Sequence, residues 1–290
     1  MSKRLLRSFL FVPADNQKLL NSSISKPCDV VILDLEDGTH PQRKEFARLQ
    51  LNESLRLVKS VNKFTAVRIN GDFNTAVTDL RSAVQESLDI VVLPKVEFAR
   101  DVQIFSQLVG DLEKLAGIHI GSIKFLIQIE SATAIQNLYQ IAASDQRVMG
   151  MMLGSEDYSL DIGGIPTPET LLIPSIMVLQ ACRAAGIQPI GFVASIANLG
   201  EIEEFKIILK QAREFGFRGA VVVHPKFLDA INECYTPNER SIFEAKEIVN
   251  LFNEAQSKGL GAIKFNGKMI DKPVYLRAVE TLVENQKIDP

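Results

Sequence analysis

Eight short apolar runs punctuate this chain, and nearly every one stops on a residue that can do chemistry. The run at 8–12 meets Pro13, that at 30–33 meets Asp34, Glu36 and Asp37, and that at 65–67 meets Arg68 and Asn70. Further along, 90–93 meets Pro94 and Lys95, 125–129 meets Glu130, and 150–153 meets Gly154, Glu156 and Asp157. The last two, 190–193 and 220–223, meet Ser195 and His224–Pro225. Parallel strands covered on both faces read as unbroken apolar runs, and in a closed barrel their carboxyl ends form the catalytic face. The pattern predicts a fold and the rim that carries its chemistry.

Helical periodicity and good helix formers fill the intervals, at 44–59, 75–87, 98–116, 132–143, 169–185 and 200–215. Strand and helix alternate as in βαβ units, so the expected architecture is α/β, a (β/α)8 TIM barrel. The chain's 290 residues accommodate such a barrel, typically about 250 residues, with an appendage. A doubly wound nucleotide fold would show a glycine-rich turn after the first strand, and 12–15 contains no glycine.

After His224–Pro225 the pattern changes. Helices are expected at 226–234, 238–258 and 274–284, with a hairpin over 262–270 turning at Asn266–Gly267 in a type I′ turn. The predicted division is a catalytic barrel at 1–235 and a C-terminal helical and hairpin lid extension at 236–290. Asp271 ends the hairpin. Two readings stand: it is delivered to a site, or it caps the last helix.

A net charge of −3 offers no general footprint for nucleic acid. Cys28, Cys182 and Cys234 lack CxxC spacing and read as reduced thiols. No apolar run approaches the roughly 18 residues of a membrane span, so a cytoplasmic protein is expected, with no membrane partner.

Glu130 and Asp157 follow successive strands, so their carboxylates would meet on one rim. Two hard oxygen ligands suit Mg²⁺, with water and a chelating substrate completing the shell; the competing reading is that each caps the helix after it. Arg68 would face a substrate carboxylate or enolate oxygen, or pair with Glu36 and Asp37. Those two acids, with Lys95, are expected to support and orient the arginine and metal. His224 is read as part of a His-Pro turn.

Eight motifs then occur in one order: Arg-Ser-Phe-Leu-Phe-Val-Pro at 7–13, Val-Ile-Leu-Asp-Leu-Glu-Asp at 31–37 followed by Lys44 and Arg48, and Val-Arg-Ile-Asn at 67–70. Next come Val-Leu-Pro-Lys-Val-Glu at 92–97, Ile-Gln-Ile-Glu-Ser-Ala at 127–132, Leu-Gly-Ser-Glu-Asp at 153–157, Gly-Phe-Arg-Gly through His-Pro at 216–225, and Gly-Lys-Met-Ile-Asp at 267–271. Together they resemble the citrate lyase beta-subunit-like family of the HpcH/HpaI aldolase superfamily, relatives of malyl-CoA lyase. The resemblance implies Mg²⁺ held by Glu130 and Asp157, and Arg68 as a catalytic and substrate-binding residue beside Gly154, Ser155 and Glu156. It also implies that Asp271 reaches the site of a neighbouring subunit as acid or base, in a homotrimer or hexamer.

The implied reaction is reversible carbon–carbon cleavage of a short 3-hydroxyacyl-CoA such as malyl-, citramalyl- or citryl-thioester. Its products are a keto acid and an acetyl thioester. Departures from the family pattern are Ala14 for glycine, Ser22–Ser23 for a lysine-alanine pair, Gly38–Thr39–His40 for a small apolar pair, and Asn198 for aspartate. The absent lysine motivates an alternative, a metal-dependent aldolase acting on free hydroxy-keto acids. A non-catalytic regulatory barrel is the third reading.

Overall fold

The computed structural model describes residues 5–265 and 267–288. Eight parallel strands form one sheet: β1 (Ser8–Pro13), β2 (Val30–Asp34), β3 (Phe64–Arg68), β4 (Ile90–Leu93), β5 (Lys124–Ile129), β6 (Val148–Leu153), β7 (Gln188–Pro189) and β8 (Ala220–Val222). From β1 to β7 each strand pairs with the next in sequence, and β8 pairs with β1. Two backbone hydrogen bonds, Gly191 N to Gly219 O at 2.8 Å and Arg218 N to Pro189 O at 3.0 Å, join the end of β7 to the residues just before β8 and draw the sheet round on itself. The expected (β/α)8 architecture is therefore the observed one.

The helices are α1 (Gln17–Ser23), α2 (Lys44–Ser60), α3 (Phe73–Ala83), α4 (Ala99–Leu115), α5 (Ala132–Gln136), α6 (Leu138–Ala142), α7 (Ser155–Asp161), α8 (Pro168–Ala185), α9 (Ile202–Phe215), α10 (Leu228–Tyr235), α11 (Glu239–Ser257) and α12 (Lys272–Ile288). Their starts are set by short polar side chains that satisfy otherwise unpaired backbone donors. Asp72 accepts from Thr75 N, Ser131 from Ala134 N, and Thr167 from Thr170 N just before Pro168. Gly186, at φ 70°, closes α8 in the left-handed conformation that a side chain disfavours. Core residues come from both faces of the strands: Val30, Val31 and Ile32 are all solvent-excluded.

Three expectations need correction. The run at 190–193 follows β7 and is not the strand itself, because Gly191 adopts φ 145° and the chain leaves the ladder there. The helix expected over 132–143 is two pieces broken at Asn137, whose φ and ψ (−113°, 11°) depart from helical values. The helix expected over 75–87 ends at Ala83, since Val84 is extended. Helices α1 and α7 are too short to show a periodicity of their own.

The chain divides into two compact units, Arg7–Asn232 and a second that takes in Leu5 and Leu6 together with the chain from Glu233 on. In the second, α11 and α12 pack together, with Phe252 and Tyr275 stacked 4.8 Å apart. An antiparallel hairpin, β9 (Ile263–Phe265) and β10 (Lys268–Ile270), precedes α12. Gly267 takes φ 78°, whereas Asn266, the other half of the expected turn, lies outside the described residues. Among the described residues no helix is long and apolar enough to cross a membrane.

Candidate active site

Parallel register places Asp34, the last residue of β2, beside Arg68, the last of β3. The guanidinium donates from Nε to Asp34 Oδ1 at 2.7 Å and from Nη2 to Oδ2 at 2.6 Å, a bidentate, charge-assisted pair. Its third nitrogen, Nη1, lies 3.0 Å from Glu36 Oε2, and its plane sits 4.7 Å over the Phe11 ring. Burial acts to lower the pKa of Arg68. The Asp34 hydrogen bonds and charge, then Glu36 and Glu130, outweigh it and hold the guanidinium more firmly protonated than usual.

The loop after β2 wraps the Asp34 carboxylate. Glu36 N and Gly38 N donate to its two oxygens at 3.0 and 2.9 Å. A Cβ on Gly38 would fall 2.3 Å from Asp34 Oδ2, so the loop can close only over glycine. Thr39 donates its hydroxyl to Asp34 O and accepts from Ala14 N, which gives the Gly38–Thr39 departure a structural role. Asp37, expected to help hold Arg68, is exposed at the cavity wall instead. Asp34, the last residue of β2, supplies the grip.

Glu130 follows β5 and is 4% exposed. It does not cap the helix after it, because Ser131 does. Its carboxylate turns into the barrel, where Oε2 accepts from Lys95 N at 2.7 Å and Oε1 from Gln128 Nε2 at 2.5 Å. Lys95 presents that amide from a left-handed backbone, φ 54°, an uncommon conformation for a side-chain-bearing residue. Gly154 lets the β6 end approach: a Cβ there would meet Glu130 Cγ at 2.6 Å and Oε1 at 2.8 Å.

Asp157 stands in the first turn of α7 and lines the same cavity. Lys95 Nζ straddles the acids, 3.8 Å from Glu36 Oε1 and 3.8 Å from Asp157 Oδ1. Both Glu36 oxygens are buried without an aligned hydrogen bond, so the carboxylate has ion-pair contacts alone. Charge is under-compensated here. Burial, then the neighbouring charges of Glu36 and Asp157, push Glu130 up to about 8. Burial, incompletely offset by Arg68, pushes Glu36 up to about 7.

A divalent cation fits this deficit. Glu130 and Asp157 offer hard oxygen donors, and among the described residues no group of three or more His, Cys, Asp or Glu side chains forms a metal cluster. A pair of carboxylates leaves positions for water and a chelating substrate, the arrangement that suits Mg²⁺.

The remaining candidates sort by position. Ser155 is buried, and its hydroxyl accepts from Ile196 N at 3.3 Å. Glu156 accepts the Ser195 hydroxyl at 2.6 Å, which ties the start of α7 to the loop after β7. His224 is a turn residue, its Nδ1 accepting from Lys226 N at 3.1 Å. Asp271 caps α12, accepting from Val274 N at 3.2 Å. Sequence reasoning missed Gln128, one strand alternation before Glu130 and on its face. It also missed Asp79, fully buried on α3, which accepts from Asn70 N at 2.8 Å, Asn70 Nδ2 at 2.7 Å and Arg48 Nε at 2.8 Å. Asn70 in turn donates to Leu35 O at 3.0 Å, bracing the β2 and β3 ends that carry Asp34 and Arg68. The acid at helix position 79 shares no strand-end motif with them, so only its buried location discloses it.

Arg68, Gln128, Gly154, Ser155, Glu156 and Asp157 are among the residues that line a cavity of about 360 Å³ at the carboxyl ends of the strands. That is the face on which barrels of this kind place their chemistry.

Residues 7–225 match the HpcH/HpaI aldolase/citrate lyase family. Citrate lyase subunit beta of Haemophilus influenzae is 37% identical over 283 residues, 95% of each chain. L-malyl-CoA/beta-methylmalyl-CoA lyase of Cereibacter sphaeroides is 30% identical over 288 residues, 91% of this chain and 90% of that one. Among solved structures, protein CitE from Mycobacterium tuberculosis in complex with magnesium, acetoacetate and coenzyme A superposes with a TM-score of 0.74 at 25% identity, covering 99% of both chains. A citrate lyase from Burkholderia xenovorans, 20% identical, shares the fold with a TM-score of 0.79 over 97% of this chain and 92% of its own. The resemblance read from the ordered motifs is thus borne out, and the chain belongs to the HpcH/HpaI aldolase/citrate lyase family.

Proposed function

We propose that this protein is a Mg²⁺-dependent carbon–carbon lyase that cleaves, or in reverse forms, a short 3-hydroxyacyl-CoA thioester. The observation that carries the reading is the juxtaposition of Arg68, held by Asp34 and Glu36, with the buried carboxylates of Glu36 and Glu130, and of Lys95 with Glu36 and Asp157. The names of the malyl-CoA lyase relatives and the magnesium and coenzyme A bound to the CitE neighbour support it.

Glu130 and Asp157 would hold the ion. When bound, Mg²⁺ supplies Lewis-acid polarisation of the oxygen that becomes the keto group. In the cleavage direction the 3-hydroxyl loses its proton and the C2–C3 bond breaks. Its electron pair passes to the thioester carbonyl as an enolate, and C2 then takes a proton to leave an acetyl thioester and a 2-keto acid. Arg68, fixed by Asp34, balances the enolate charge without reorganising during the step. Gly154 and Ser155 shape the wall against which the substrate lies, and Glu156 is steadied there by Ser195. Asp271, provided by a neighbouring chain of a homotrimer or hexamer, serves as the proton carrier.

Cleavage of malyl-CoA and citramalyl-CoA with Mg²⁺, by the native protein and by Glu130→Ala, tests this. Activity is expected from the native protein alone, and equal rates would remove the metal assignment. A second reading keeps the metal but replaces the thioester by a free hydroxy-keto acid. It is favoured by Ser22, exposed in the last turn of α1 with no cationic side chain of its own for a phosphate. Tight coenzyme A binding in calorimetry would decide against it.

A further inference from the structure

Lys95 meets the acids of the candidate site at both of its ends. Its backbone amide donates to Glu130 Oε2 at 2.7 Å, while its ammonium lies 3.8 Å from Glu36 Oε1 and 3.8 Å from Asp157 Oδ1. The amide aligns one carboxylate from within the wall. The ammonium sets a positive charge between two others, and one of these, Asp157, is a candidate ligand of the ion.

Two local features build this placement. The left-handed backbone of Lys95, φ 54°, turns the amide toward Glu130. The aliphatic stem then passes over Gly71, where a Cβ would lie 2.9 Å from Lys95 Cδ and 3.4 Å from Cγ. Gly71 is not among the residues of positive φ, so its missing side chain serves space and not conformation.

The two cations of the site are held very differently. Arg68 has all three guanidinium nitrogens engaged by Asp34 and Glu36. Lys95 is half-exposed, with 49% of its side chain accessible, and neither of its ion pairs closes to hydrogen-bond distance. With Arg68 committed to Asp34, the ammonium is left opposite Glu36, Glu130 and Asp157. A divalent ion held by Glu130 and Asp157 shares Asp157 with it. Like charges at such a separation repel, and water weakens that repulsion without abolishing it.

We propose that Lys95 sets how strongly the site holds its divalent ion. The amide fixes Glu130 as a donor, and the ammonium competes with the ion for Asp157, so that the ion binds less tightly than two unopposed carboxylates would hold it and stays exchangeable. Lys95 is in this sense a positioning residue. The inference rests on the lyase reading, in which Glu130 and Asp157 hold Mg²⁺, and adds what regulates that grip.

Calorimetric titration of the full chain with Mg²⁺ alone, at low and high KCl, tests this. At pH 9, above the value of about 8 to which Glu130 is pushed, protons do not confuse the comparison. Lys95→Met keeps the amide and most of the stem, and its Mg²⁺ affinity is expected to rise about tenfold at low salt. High KCl should narrow the gap from the native protein, because salt screens the half-exposed ammonium. Lys95→Arg keeps the charge and should bind Mg²⁺ as the native protein does. Should Lys95→Met not fold, Lys95→Gly, which suits a left-handed backbone, removes the same charge. Native or weaker affinity in the uncharged variant, or equal tightening in Lys95→Arg, overturns the inference and leaves the lyase reading in place. Absence of Mg²⁺ binding in the native protein and variants alike overturns both.

Discussion

Asp34 and Arg68 occupy facing register positions on adjacent parallel strands, and the guanidinium grips both carboxylate oxygens at 2.6 and 2.7 Å. The arginine that faces the cavity is therefore oriented from behind by a buried acid. Asp34→Asn keeps the shape but removes the charge, leaving Arg68 paired with Glu36 alone. Removing one partner of a buried pair costs about 3–5 kcal/mol. A matching loss in denaturant unfolding is expected, together with a fall in kcat. Unchanged stability would show that Arg68 does not depend on this partner.

Gly154→Ala tests the close approach of β6 to Glu130. The added methyl would lie 2.6 Å from Glu130 Cγ, so the carboxylate must move. Mg²⁺ affinity is expected to fall on the order of tenfold or more, as when groups that orient a metal ligand are disturbed. Calorimetry with Mg²⁺ alone reads this directly, and native affinity in the variant would argue that Glu130 is not a ligand.

The raised carboxyl groups set a pH dependence for the metal-free protein. Between the ordinary glutamate value of 4.5 and the folded values of about 7 for Glu36 and about 8 for Glu130, the folded state holds more protons than the unfolded one. Stability must then decline as pH rises through that window. Mg²⁺ should stabilise more strongly toward its upper end, where no proton competes for Glu130. Thermal unfolding at pH 6 and pH 8.5, with and without Mg²⁺, measures both effects; a Mg²⁺ shift in Tm that is larger at pH 6 would contradict this account.

Asp271 caps α12 through its own side chain, and asparagine can make the same cap. Asp271→Asn should therefore leave unfolding and Mg²⁺ affinity near native while depressing turnover by two orders of magnitude, about the share of a general acid–base group. Mixed oligomers of Asp271→Asn and Arg68→Ala chains should recover activity, because some sites would combine two intact residues. No recovery would remove the cross-subunit assignment.

The barrel was legible because its signal is local and redundant. The runs at 30–33 and 90–93 are apolar on both faces because their strands are sheathed, and that reads directly along the chain. Ile190 to Val193 is equally apolar yet is not strand, since Gly191 turns the chain and Ile190 and Phe192 line the cavity instead. Composition cannot tell a strand from a buried loop of the same hydrophobicity.

At the candidate site, Glu130, Asp157 and Arg68 stood out because each ends a strand or begins the helix after one, and the rim of a barrel gathers such residues. Their partners did not. Asp34 rather than Asp37 holds Arg68, Ser131 frees Glu130 from capping, and Asp79 braces Asn70 from a helix nine residues further on. Periodicity along one chain determines which residues reach the rim. Which of them meet is decided by the register between strands and by the closeness that Gly38 and Gly154 permit, and those contacts span residues far apart in the chain.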